Sequence, residues 1–589
     1  MEPLILSGFG ANAVNLYGDE DMQERTWLKS YPAGVPADID ANRYASIVAV
    51  LKSVCERYSH RPAFSNMGRV LSYSDVDRLS ADFASYLLNE LKLKKGDRVA
   101  LMMPNVLQYP IAIFGILRAG LVVVNTNPMY TARELKHQLN DSGAVAIVVL
   151  ENFAGTLAEV LPETKLKQVI LTGIGDLLGA PKSWVVNFVS RYVKKMVPEF
   201  NIPGAIPYND VLKIGARRPA PTVDINGDDI AFLQYTGGTT GVAKGAMLIH
   251  RNLVANMEQV AAWYASLVKL GEEVIITALP LYHIFALTCN CLVFMNFGGE
   301  NVLVTNPRDM AGFVKLMRET KFTSITGVNT LFNGLLNTPG FDQLDFSGMR
   351  LSMGGGMAVQ RAVAERWKKM TGKPLIEGFG MTESSPVATM NRPDIEEYTG
   401  SIGLPAPSTE LSIQDDDGKL LPAGEVGEIC IRGPQVMKGY WQRPEETTKV
   451  IDGDGWLRTG DIGRMDDKGF FFIVDRKKDM ILVSGFNVYP TDIEQVLYRH
   501  PKIQKVCVAG IPDKITGEAV KAYVVLREGV IATAQEIIDF CRSAEHGLTG
   551  YKVPKLVEFR DALPETLVGK ILRRVLQQEE KEKAPADGS

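Results

Sequence analysis

Short apolar runs alternate with amphipathic segments over residues 40–150. The helical spacing of apolar residues predicts a helix over 45–58. Continuous apolar runs predict buried strands at 121–124 and 144–150, and residues 97–103 are interpreted as a turn followed by another buried strand. Buried strands that alternate with helices are typical of crossover units in which helices cover a sheet. The predicted fold class is therefore α/β, with mixed or mostly parallel sheets flanked by helices in a large N-terminal part.

The later part of the chain divides into two smaller regions. Residues 402–475 hold short strand patterns punctuated by glycine and proline, which predicts a small, β-barrel-like subdomain. Beyond it, strand patterns at 506–510 and 522–525 alternate with helical segments. That alternation predicts a small α+β domain at the C-terminus.

Residues 183–197 carry an apolar stripe with cations beside it. The apolar side chains that recur at helical spacing are Trp184, Val185, Phe188, Val189, Tyr192, Val193 and Met196. The cations nearby are Arg191, Lys194 and Lys195. A stripe of this kind usually packs on the protein's own core, but with basic flanks it can also lie on an anionic membrane surface. The sequence leaves both interpretations open.

Composition narrows the class of protein. The 589 residues carry a net charge of -4, so the chain lacks the basic excess of a nucleic-acid-binding protein. Its six cysteines lack the paired spacing of a metal site or a disulfide framework. No apolar run reaches the ~18–20 residues of a spanning helix, and residues 1–21, an uncertain N-terminal extension, lack the features of a secretory signal. We expect a cytoplasmic protein whose membrane contact, if any, is peripheral and on the inner face.

The most informative stretch is a glycine-rich loop after an apolar strand pattern. Residues 235–245 read YTGGTTGVAKG. Glycines let backbone N–H groups approach anionic oxygens, while threonine hydroxyls and a lysine add donors and charge. The spacing excludes a Walker A loop, because the sixth position from Gly238 is Ala243 and Lys244 precedes Gly245. The alternative is a flexible surface loop. The candidate phosphate-binding residues are Tyr235, Thr236, Gly237, Gly238, Thr239, Thr240, Gly241 and Lys244.

This loop resembles the phosphate-binding signature of adenylate-forming enzymes, which include acyl-CoA synthetases, luciferases and the adenylation domains of peptide synthetases. A second stretch, Gly378-Phe379-Gly380-Met381-Thr382-Glu383, resembles the G-Y-G-x-T-E motif of that family. The resemblance implies that Phe379 stacks on adenine and that Thr382 bonds a phosphate oxygen. It also implies that Glu383 holds Mg²⁺, a cation that prefers carboxylate and phosphate oxygens. Most relatives have tyrosine where Phe379 stands, so the stacking face is kept and a hydroxyl is lost.

Three residues further along the chain continue the resemblance. Asp461 would accept hydrogen bonds from both ribose hydroxyls, as a carboxylate can. Arg476 would touch the nucleotide, and Lys478 aligns with the hinge about which the family's small C-terminal domain rotates. The resemblance thus implies a large domain over 22–475, a hinge at 476–479 and a small, mobile domain over 480–589.

The remaining resemblances concern the acyl group and coenzyme A. The segment Ser484-Gly485-Phe486 resembles the loop that lines the pantetheine tunnel in members that use coenzyme A. Residues 564–570 fit P-x-T-x-x-G-K, whose lysine, here Lys570, would bond the carboxylate and the α-phosphate during adenylation. On the acyl side, the candidates are His283, Val328, Gly354, Gly355 and Gly356. A histidine among aromatic residues, such as His283, is in the alternative a packed core residue.

The resemblance runs from about residue 22 to about 580 and is strongest to bacterial long-chain fatty acid–CoA ligases. It implies activation of a fatty acid by ATP as an acyl-adenylate and transfer to coenzyme A, with Mg²⁺ as cofactor. Thr236, Glu383 and Lys570 would be catalytic. Medium-chain or aryl acid–CoA ligases, an adenylate former that loads a carrier protein, and a catalytically silent binder are the alternatives. The expected partners are fatty acid, ATP, coenzyme A, peripheral membrane and a second copy in a homodimer, without nucleic acid.

Overall fold

The computed structural model describes residues 25–236, 243–513, 515–543, 548, 550–565 and 571–583. Two structural units are distinguished by their internal contacts. The first comprises the chain up to Glu410 together with Ile431–Leu457, and the second comprises Leu411–Cys430 together with the chain from Arg458 onward.

The first unit contains sixteen of the strands in the described chain. They are β1 (Pro62–Asn66), β2 (Arg69–Ser72), β3 (Arg98–Met102), β4 (Val122–Asn125), β5 (Ala146–Leu150), β6 (Gln168–Thr172), β7 (Ile206–Pro207), β8 (Ile230–Thr236), β9 (Lys244–Ile249), β10 (Val274–Thr277), β11 (Glu300–Leu303), β12 (Ser324–Gly327), β13 (Leu351–Gly354), β14 (Ile376–Gly380), β15 (Val387–Met390) and β16 (Leu404–Pro405). One sheet has the order β7-β6-β5-β3-β4-β8-β9, and the other has the order β16-β15-β14-β13-β12-β10-β11-β1-β2.

Helices connect most of these strands. They are α1 (Ile47–Tyr58), α2 (Tyr73–Asn89), α3 (Gln108–Arg118), α4 (Ala132–Ser142), α5 (Ala154–Val160), α6 (Lys182–Phe188), α7 (Tyr208–Gly215), α8 (His250–Tyr264), α9 (Val293–Asn296), α10 (Met310–Glu319), α11 (Asn329–Leu336), α12 (Arg361–Thr371) and α13 (Pro444–Thr448). In the first sheet β6, β5, β3, β4 and β8 are parallel neighbours, while β9 pairs antiparallel with β8. The predicted α/β class, with mixed sheets flanked by helices, is confirmed.

The early predictions agree with the structure because local signals and burial point the same way. The predicted helix over 45–58 is α1, whose first turn is capped by the Ser46 hydroxyl as it accepts from Ala49 N. The three predicted strands are β3, β4 and β5, and the side chains of β4 and β5 are all buried. Strands buried on both faces read as continuous apolar runs, so the sequence marks them clearly.

The second unit contains two further sheets. Its elements are β17 (Glu410–Gln414), β18 (Gly427–Arg432), β19 (Leu457–Met465), β20 (Phe471–Arg476), β21 (Ile481–Val483), β22 (Phe486–Val488), β23 (Ile503–Asp513), β24 (Gly517–Leu526), β25 (Leu556–Phe559), α14 (Pro490–Leu497), α15 (Ala534–Arg542) and α16 (Arg573–Lys583). The small β subdomain is the sheet β17-β18-β19-β20. A second sheet, β22-β21-β24-β23 with β25 on β24, shares a core with α14 and α15. The predicted small α+β domain is confirmed.

The stripe at 183–197 forms α6 and a following π-helical turn, Val189–Val193. None of the α6 side chains is buried. Among the described residues, no helix is long and apolar enough to cross a membrane.

Candidate active site

A buried tyrosine holds the start of the glycine-rich loop. Tyr235 pairs with Gly245 and Thr236 pairs with Lys244, so the loop connects β8 to β9 as a hairpin. The Tyr235 hydroxyl donates to Asp141 Oδ2 at 2.7 Å. Burial and this carboxylate raise the pKa of Tyr235 above its ordinary value. Both ends of the loop are therefore fixed. The predicted ligands Gly237, Gly238, Thr239, Thr240 and Gly241 lie outside the described residues.

Asp141 connects the base of this loop to the segment after β18. Its Oδ1 atom accepts from Arg443 Nη2 at 2.5 Å, and its carbonyl oxygen accepts from Trp441 Nε1 at 3.2 Å. Sequence analysis missed Asp141, because an aspartate near the end of α4 gives no sign that it will meet a tyrosine 94 residues away. Asp141 therefore holds Tyr235, at the end of β8 where the glycine-rich loop begins, to Arg443 and Trp441.

Lys244, a predicted phosphate contact, is paired with a carboxylate. Its Nζ atom lies 2.7 Å from Glu446 Oε2 and 4.8 Å from the centre of the Tyr440 ring. The ammonium groups of Lys244 and Lys449 lower the pKa of Glu446 to about 2. The Lys244 ammonium thus lies at the end of the loop hairpin, and its contact with phosphate stays a prediction.

Glu383 lies on a tight turn that follows β14. A Cβ atom on Gly380 would lie 1.8 Å from the Pro386 carbonyl oxygen, so the motif requires glycine at this position. Glu383 is buried, and its Oε1 atom accepts from the Tyr440 hydroxyl at 2.7 Å. Phe379 and Thr382 are half-buried on the same stretch. Tyr440 therefore links Glu383 to Lys244 at the glycine-rich hairpin.

The donor set at this turn fits Mg²⁺. Within the described part of the chain, no group of three or more His, Cys, Asp or Glu side chains is arranged to hold a metal. Mg²⁺ commonly binds through one or two carboxylates together with phosphate and water oxygens. Glu383, oriented by Tyr440, offers one such carboxylate, and a nucleotide would supply the phosphate oxygens.

The glycines of the predicted acyl wall lie close to other candidate residues. A Cβ atom on Gly355 would lie 3.2 Å from Phe285 Cε1 and 3.4 Å from the Gly378 carbonyl oxygen. A Cβ atom on Gly354 would lie 2.7 Å from Val359 Cγ2. The structure therefore brings the acyl candidates next to the nucleotide motif at Gly378, which spacing alone did not establish.

Two further acyl candidates belong to the same neighbourhood. Gly356 has a φ of +75°, and a Cβ atom there would lie 3.6 Å from Val328 Cγ1. His283 Nδ1 accepts from the N–H of Phe285 at 3.3 Å. The preceding residue, Tyr282, accepts through its carbonyl oxygen from Gln234 Nε2 at 2.6 Å, which ties this segment to β8.

Glu377 is a buried acid beside the wall that sequence analysis missed. In the pairing of β13 with β14 it stands opposite Gly354. Its Oε1 atom accepts from the N–H of Val359 at 2.9 Å. Burial raises the pKa of Glu377 to about 7, although this hydrogen bond opposes the shift. A single glutamate ahead of a glycine motif carries no recognisable signal, so only burial reveals it.

The second unit brings two predicted nucleotide residues together. Asp461 in β19 pairs with Arg476 in the antiparallel register of β19 and β20. The Arg476 Nε atom lies 2.7 Å from Asp461 Oδ1, and Asp461 is almost fully buried. The neighbouring Asp475 accepts from Thr491 N at 2.7 Å, and its burial raises its pKa.

The predicted hinge and coenzyme A loop follow in the same unit. The pKa of Lys478 is lowered from its ordinary value, mainly by burial of its ammonium group. Ser484 and Gly485, with φ of 50° and 84°, form the turn between β21 and β22. Phe486 is exposed, and its ring stacks on Tyr551 with centroids 4.8 Å apart. The turn is exposed at Ser484 and Gly485, and its contact with coenzyme A stays a prediction.

Lys570 lies outside the described residues, but both ends of its loop are fixed. An isolated antiparallel bridge joins Glu565 to Ile571, and Leu572 N donates to the Pro564 carbonyl oxygen at 2.7 Å. Lys505 Nζ lies 2.5 Å from Glu565 Oε1. The loop that carries Lys570 is thus closed at its base.

Arg573, three residues beyond, is held by three acceptors. Its Nε atom donates to the Val508 carbonyl oxygen at 2.7 Å, Nη1 lies 2.6 Å from Asp479 Oδ2, and Nη2 lies 2.8 Å from Glu494 Oε1. These carboxylates raise the pKa of Arg573, against the effect of its burial. Sequence analysis assigned no role to Arg573, and the structure shows it to be anchored by these three contacts.

Comparisons with known proteins agree with this arrangement. A family model described as AMP-binding enzyme matches residues 51–441, and one described as AMP-binding enzyme C-terminal domain matches residues 492–570. The first match spans more than half of the chain. The chain therefore belongs to the AMP-binding enzymes, the adenylate-forming family expected from the sequence.

Individual relatives refine the comparison. The chain is 57% identical over 557 residues to the long-chain-fatty-acid–CoA ligase of Yersinia pestis, which covers 95% of this chain and 98% of that protein. It is 39% identical over 564 residues to the protein of the same name in Bacillus subtilis (strain 168), which covers 95% and 99%. The expected enzyme class agrees with the name of these relatives.

Solved structures share the fold. ATP-bound MatB from Rhodopseudomonas palustris is 28% identical, with a TM-score of 0.78 over 91% of this chain and 99% of that chain. The anthranilate CoA ligase AuaEII in complex with anthranoyl-AMP is 25% identical, with a TM-score of 0.80 over 93% and 100%.

Proposed function

We propose that this chain is an ATP-dependent long-chain fatty acid–CoA ligase that works through an acyl-adenylate and releases AMP and pyrophosphate. The observation that carries the proposal is 57% identity over 95% of the chain to a relative that is named for this activity. The site is compatible with it, since a phosphate-type hairpin, a buried carboxylate and a glycine-lined wall occur together in the first unit.

The chemistry explains why such residues are needed. A carboxylate is a poor acylating agent, because its leaving group would be oxide. Its attack on the α-phosphorus of ATP releases pyrophosphate and leaves a mixed anhydride, which the thiolate of coenzyme A then attacks as AMP leaves. Negative charge spreads over phosphate oxygens, so positioned cations and N–H donors supply much of the stabilisation. Mg²⁺, when bound, would neutralise phosphate charge at Glu383.

In this proposal the first unit binds the triphosphate, adenine and acyl group. Thr236, Lys244 and the glycine-rich loop surround the phosphates, Thr382 bonds a phosphate oxygen, and Phe379 stacks on adenine. The pocket for the acyl group is formed by His283, Val328, Gly354, Gly355 and Gly356. The small space beside Gly355, where an added Cβ atom would meet Phe285 and Gly378, supports this assignment.

The second unit would contribute the ribose contacts and the catalytic lysine. Asp461 accepts from the ribose hydroxyls and Arg476 touches the nucleotide, which is supported by their mutual ion pair. Lys570 bonds the carboxylate and α-phosphate during adenylation. Support comes from the bridge between Glu565 and Ile571 on either side of it, because chain ends that are already held in place reduce the entropy lost when substrate is engaged.

Coenzyme A would enter along the turn at Ser484-Gly485-Phe486. The exposed turn supports this role. We also propose that residues 476–479 form a hinge between domains 22–475 and 480–589, with Lys478 at its centre, so that Lys570 serves the first step and the Gly485 turn serves the second.

The decisive experiment measures pyrophosphate release from ATP and Mg²⁺ with acids from butyrate to stearate, with and without coenzyme A. A long-chain ligase turns over best with long acids and only when coenzyme A is present. Release of one pyrophosphate per enzyme molecule, unchanged by coenzyme A, would identify an adenylate former that loads another acceptor. Lys570→Ala should abolish release while ATP binding persists, and unchanged release would refute the role of Lys570.

The same series of acids should include aryl acids such as ferulate. A feruloyl-CoA synthase of Amycolatopsis sp is 34% identical over 515 residues and covers 87% of this chain and 95% of that protein. Preference for ferulate over long fatty acids would replace the acyl specificity proposed here and leave the reaction type unchanged.

We further propose a cytoplasmic enzyme that contacts the inner face of the membrane peripherally and acts as a homodimer. A substrate that is poorly soluble in water, such as a long-chain fatty acid, partitions into bilayers, which supports a peripheral contact. Sedimentation in solution tests the homodimer: a monomer mass at assay concentration would exclude it.

A further inference from the structure

The helix α6 is amphipathic in the opposite sense to a core-packing helix. Six apolar side chains of α6 and of the residues just after it point outward and are between 51% and 70% exposed. They define what we call the α6 surface: Trp184, Val185, Phe188, Tyr192, Val193 and Met196. A helix at the surface of a globular domain normally turns such a stripe toward the core. Of the two interpretations that the sequence left open, packing of this stripe on the protein's own core does not hold, since among the stripe residues Val189 alone is half-buried.

Polar side chains of the same segment hold it to the protein. Asn187 Oδ1 accepts from Gly175 N at 2.7 Å, and Asn187 Nδ2 donates to Asp176 Oδ1 at 2.8 Å. On the following turn, Arg191 forms an ion pair with Glu151 at 2.7 Å. Because the polar side is used for these contacts, the apolar side is fixed outward by specific bonds rather than by chance exposure.

The charged side chains of the segment itself have one sign. The stretch between Asp176 and Glu199 contains no acidic residue. Lys182, Lys194 and Lys195 are exposed. Tryptophan and tyrosine on an apolar face with cations at its border favour the interface of an anionic bilayer. A second copy docked through the same surface would bring lysines against lysines, which charge repulsion disfavours.

The chain segment that carries α6 begins at the same edge of the sheet as the glycine-rich loop. Strands β6 and β8 belong to one parallel run, so Thr172 and Thr236 end at the same edge. Ligands in parallel α/β sheets bind outside the carboxyl ends of the strands. The segment that carries α6 leaves β6 at this edge.

We infer that the α6 surface docks on an anionic lipid bilayer, with its apolar side chains at the acyl boundary and its lysines at the headgroups. Only the purpose of this docking rests on the proposed function: it would bring the enzyme to fatty acid dissolved in the bilayer. The docking itself rests on the outward apolar side chains and the cations beside them.

The test is flotation or sedimentation with vesicles of phosphatidylcholine, with and without phosphatidylglycerol. The unmodified protein should bind the anionic vesicles, and added salt should weaken binding because it screens the lysines. The double variant Trp184→Ser with Phe188→Ser should lose at least about tenfold in affinity, since burial of one such side chain is worth more than that factor. Lys194→Gln with Lys195→Gln should lose roughly thirtyfold, on anionic vesicles only.

A matched control uses exposed apolar residues elsewhere. Ile515 and Ile531 are 88% and 85% exposed, so Ile515→Ser with Ile531→Ser removes comparable apolar area without touching the α6 surface. This control should bind vesicles as the unmodified protein does. Equal loss in the control, or no binding of the unmodified protein, would overturn the inference. Unchanged vesicle binding with a changed oligomer mass in the Trp184 variant would assign the surface to a second copy instead.

A fluorescence measurement keeps the inference testable if a variant folds poorly. Brominated lipids should quench tryptophan emission of the unmodified protein, and Trp184→Phe should lose most of that quenching. Quenching that survives this substitution would place another tryptophan at the bilayer and refute the assignment.

Activity assays separate this inference from the proposed function. With fatty acid presented in free solution, the α6 variants should form acyl-CoA at the unmodified rate. With fatty acid presented in anionic vesicles, they should be slower by about the factor lost in binding. A protein that binds vesicles through the α6 surface but forms no acyl-CoA would retain this inference and lose the ligase assignment.

Discussion

Arg573 and Asp479 form an ion pair in which Nη1 lies 2.6 Å from Oδ2, although 94 residues separate them in the chain. Asp479 adjoins Lys478 in the proposed hinge, and Arg573 follows the proposed catalytic Lys570 by three positions. The ion pair therefore fixes the segment after Lys570 to the last residue of the hinge. We expect it to act as a positioning contact for the lysine loop.

Arg573→Gln should slow adenylation by about a hundredfold, because small displacements of a catalytic group cost about that factor. Transfer from added acyl-adenylate to coenzyme A should change little, since Lys570 is proposed to act only in the first step. Single-turnover assays of each step measure the two effects. Arg573→Lys should recover only part of the adenylation rate, because an ammonium cannot satisfy three separated acceptors.

The control for this substitution is Arg542→Gln, which removes an exposed arginine in the same unit. It should leave both steps intact. Arg573→Gln could instead slow both steps equally, with the loss of activity explained by a lower melting temperature alone. That result would show that Arg573 is structural and does not position Lys570. Some destabilisation is expected in any case, because Asp479 and Glu494 lose their partner.

Tyr440→Phe should weaken binding of ATP in the presence of Mg²⁺ about tenfold, the lower range for loss of a group that orients a metal ligand. The substitution removes the hydroxyl that donates to Glu383 at 2.7 Å and keeps the ring beneath Lys244. Calorimetric titration with Mg²⁺ and ATP, and with ATP in excess chelator, gives a readout that does not depend on turnover.

Tyr31→Phe is the control, since it removes a hydroxyl that donates to the Pro405 carbonyl oxygen at 2.6 Å. It should leave both titrations unchanged. Equal weakening of ATP binding with and without Mg²⁺ in Tyr440→Phe would show that the hydroxyl acts on the nucleotide site in general.

Gly355→Ala should lower kcat/KM for long acids by about tenfold and affect short acids less. The added Cβ atom would lie 3.2 Å from the Phe285 ring and 3.4 Å from the Gly378 carbonyl oxygen, so it narrows the proposed acyl wall. A misplaced group near the reacting centre costs rate even where the fold is kept. Kinetics with the acid series measure the change in preference.

Gly453→Ala provides the comparison, because a Cβ atom there would meet no heavy atom within 4 Å. Its acid preference should equal that of the unmodified protein. A uniform loss over all chain lengths in Gly355→Ala would remove Gly355 from the acyl wall.

Glu377 should make stability fall as the pH rises. Burial raises its pKa from 4.5 to about 7, so the folded state binds the proton more tightly than the unfolded chain does. The resulting stabilisation is fully present below pH 4.5 and is lost as the pH rises through about 7. The difference amounts to about 3 kcal/mol at 1.36 kcal/mol per unit.

Glu377→Gln should abolish most of this pH dependence, because glutamine keeps an acceptor for the Val359 N–H and does not ionise. Urea unfolding at about pH 5 and about pH 8 gives the two free energies of unfolding for each protein. An unchanged slope in the glutamine variant would attribute the dependence to other groups.

Local patterns determine the elements and the motifs. The strands β3 to β5 and the helix α1 follow from burial and spacing within a few residues, which the chain itself encodes. The glycine-rich loop and the Gly378–Glu383 motif are likewise contiguous, because a phosphate or a metal is bound by neighbouring backbone groups and side chains. The family was recognisable for that reason, and the comparisons confirm it.

Contacts between distant positions were not predictable in the same way. Tyr440 meets Glu383 across 57 residues, and Asp141 meets Tyr235 across 94. Such contacts depend on which strands become neighbours and in which register, and no local spacing specifies either. Glu377 was overlooked for the same reason, since its pKa follows from burial by the whole unit.

The sequence by itself determined the α/β class, the adenylate-forming family and the period of the stripe at 183–197. Only the tertiary structure decided that this stripe points outward, that Tyr440 donates to Glu383 and that Arg573 pairs with Asp479. The physical reason is that periodicity establishes an apolar face but not its direction. That direction is set by the Asn187 and Arg191 contacts, which form only after the surrounding chain has folded.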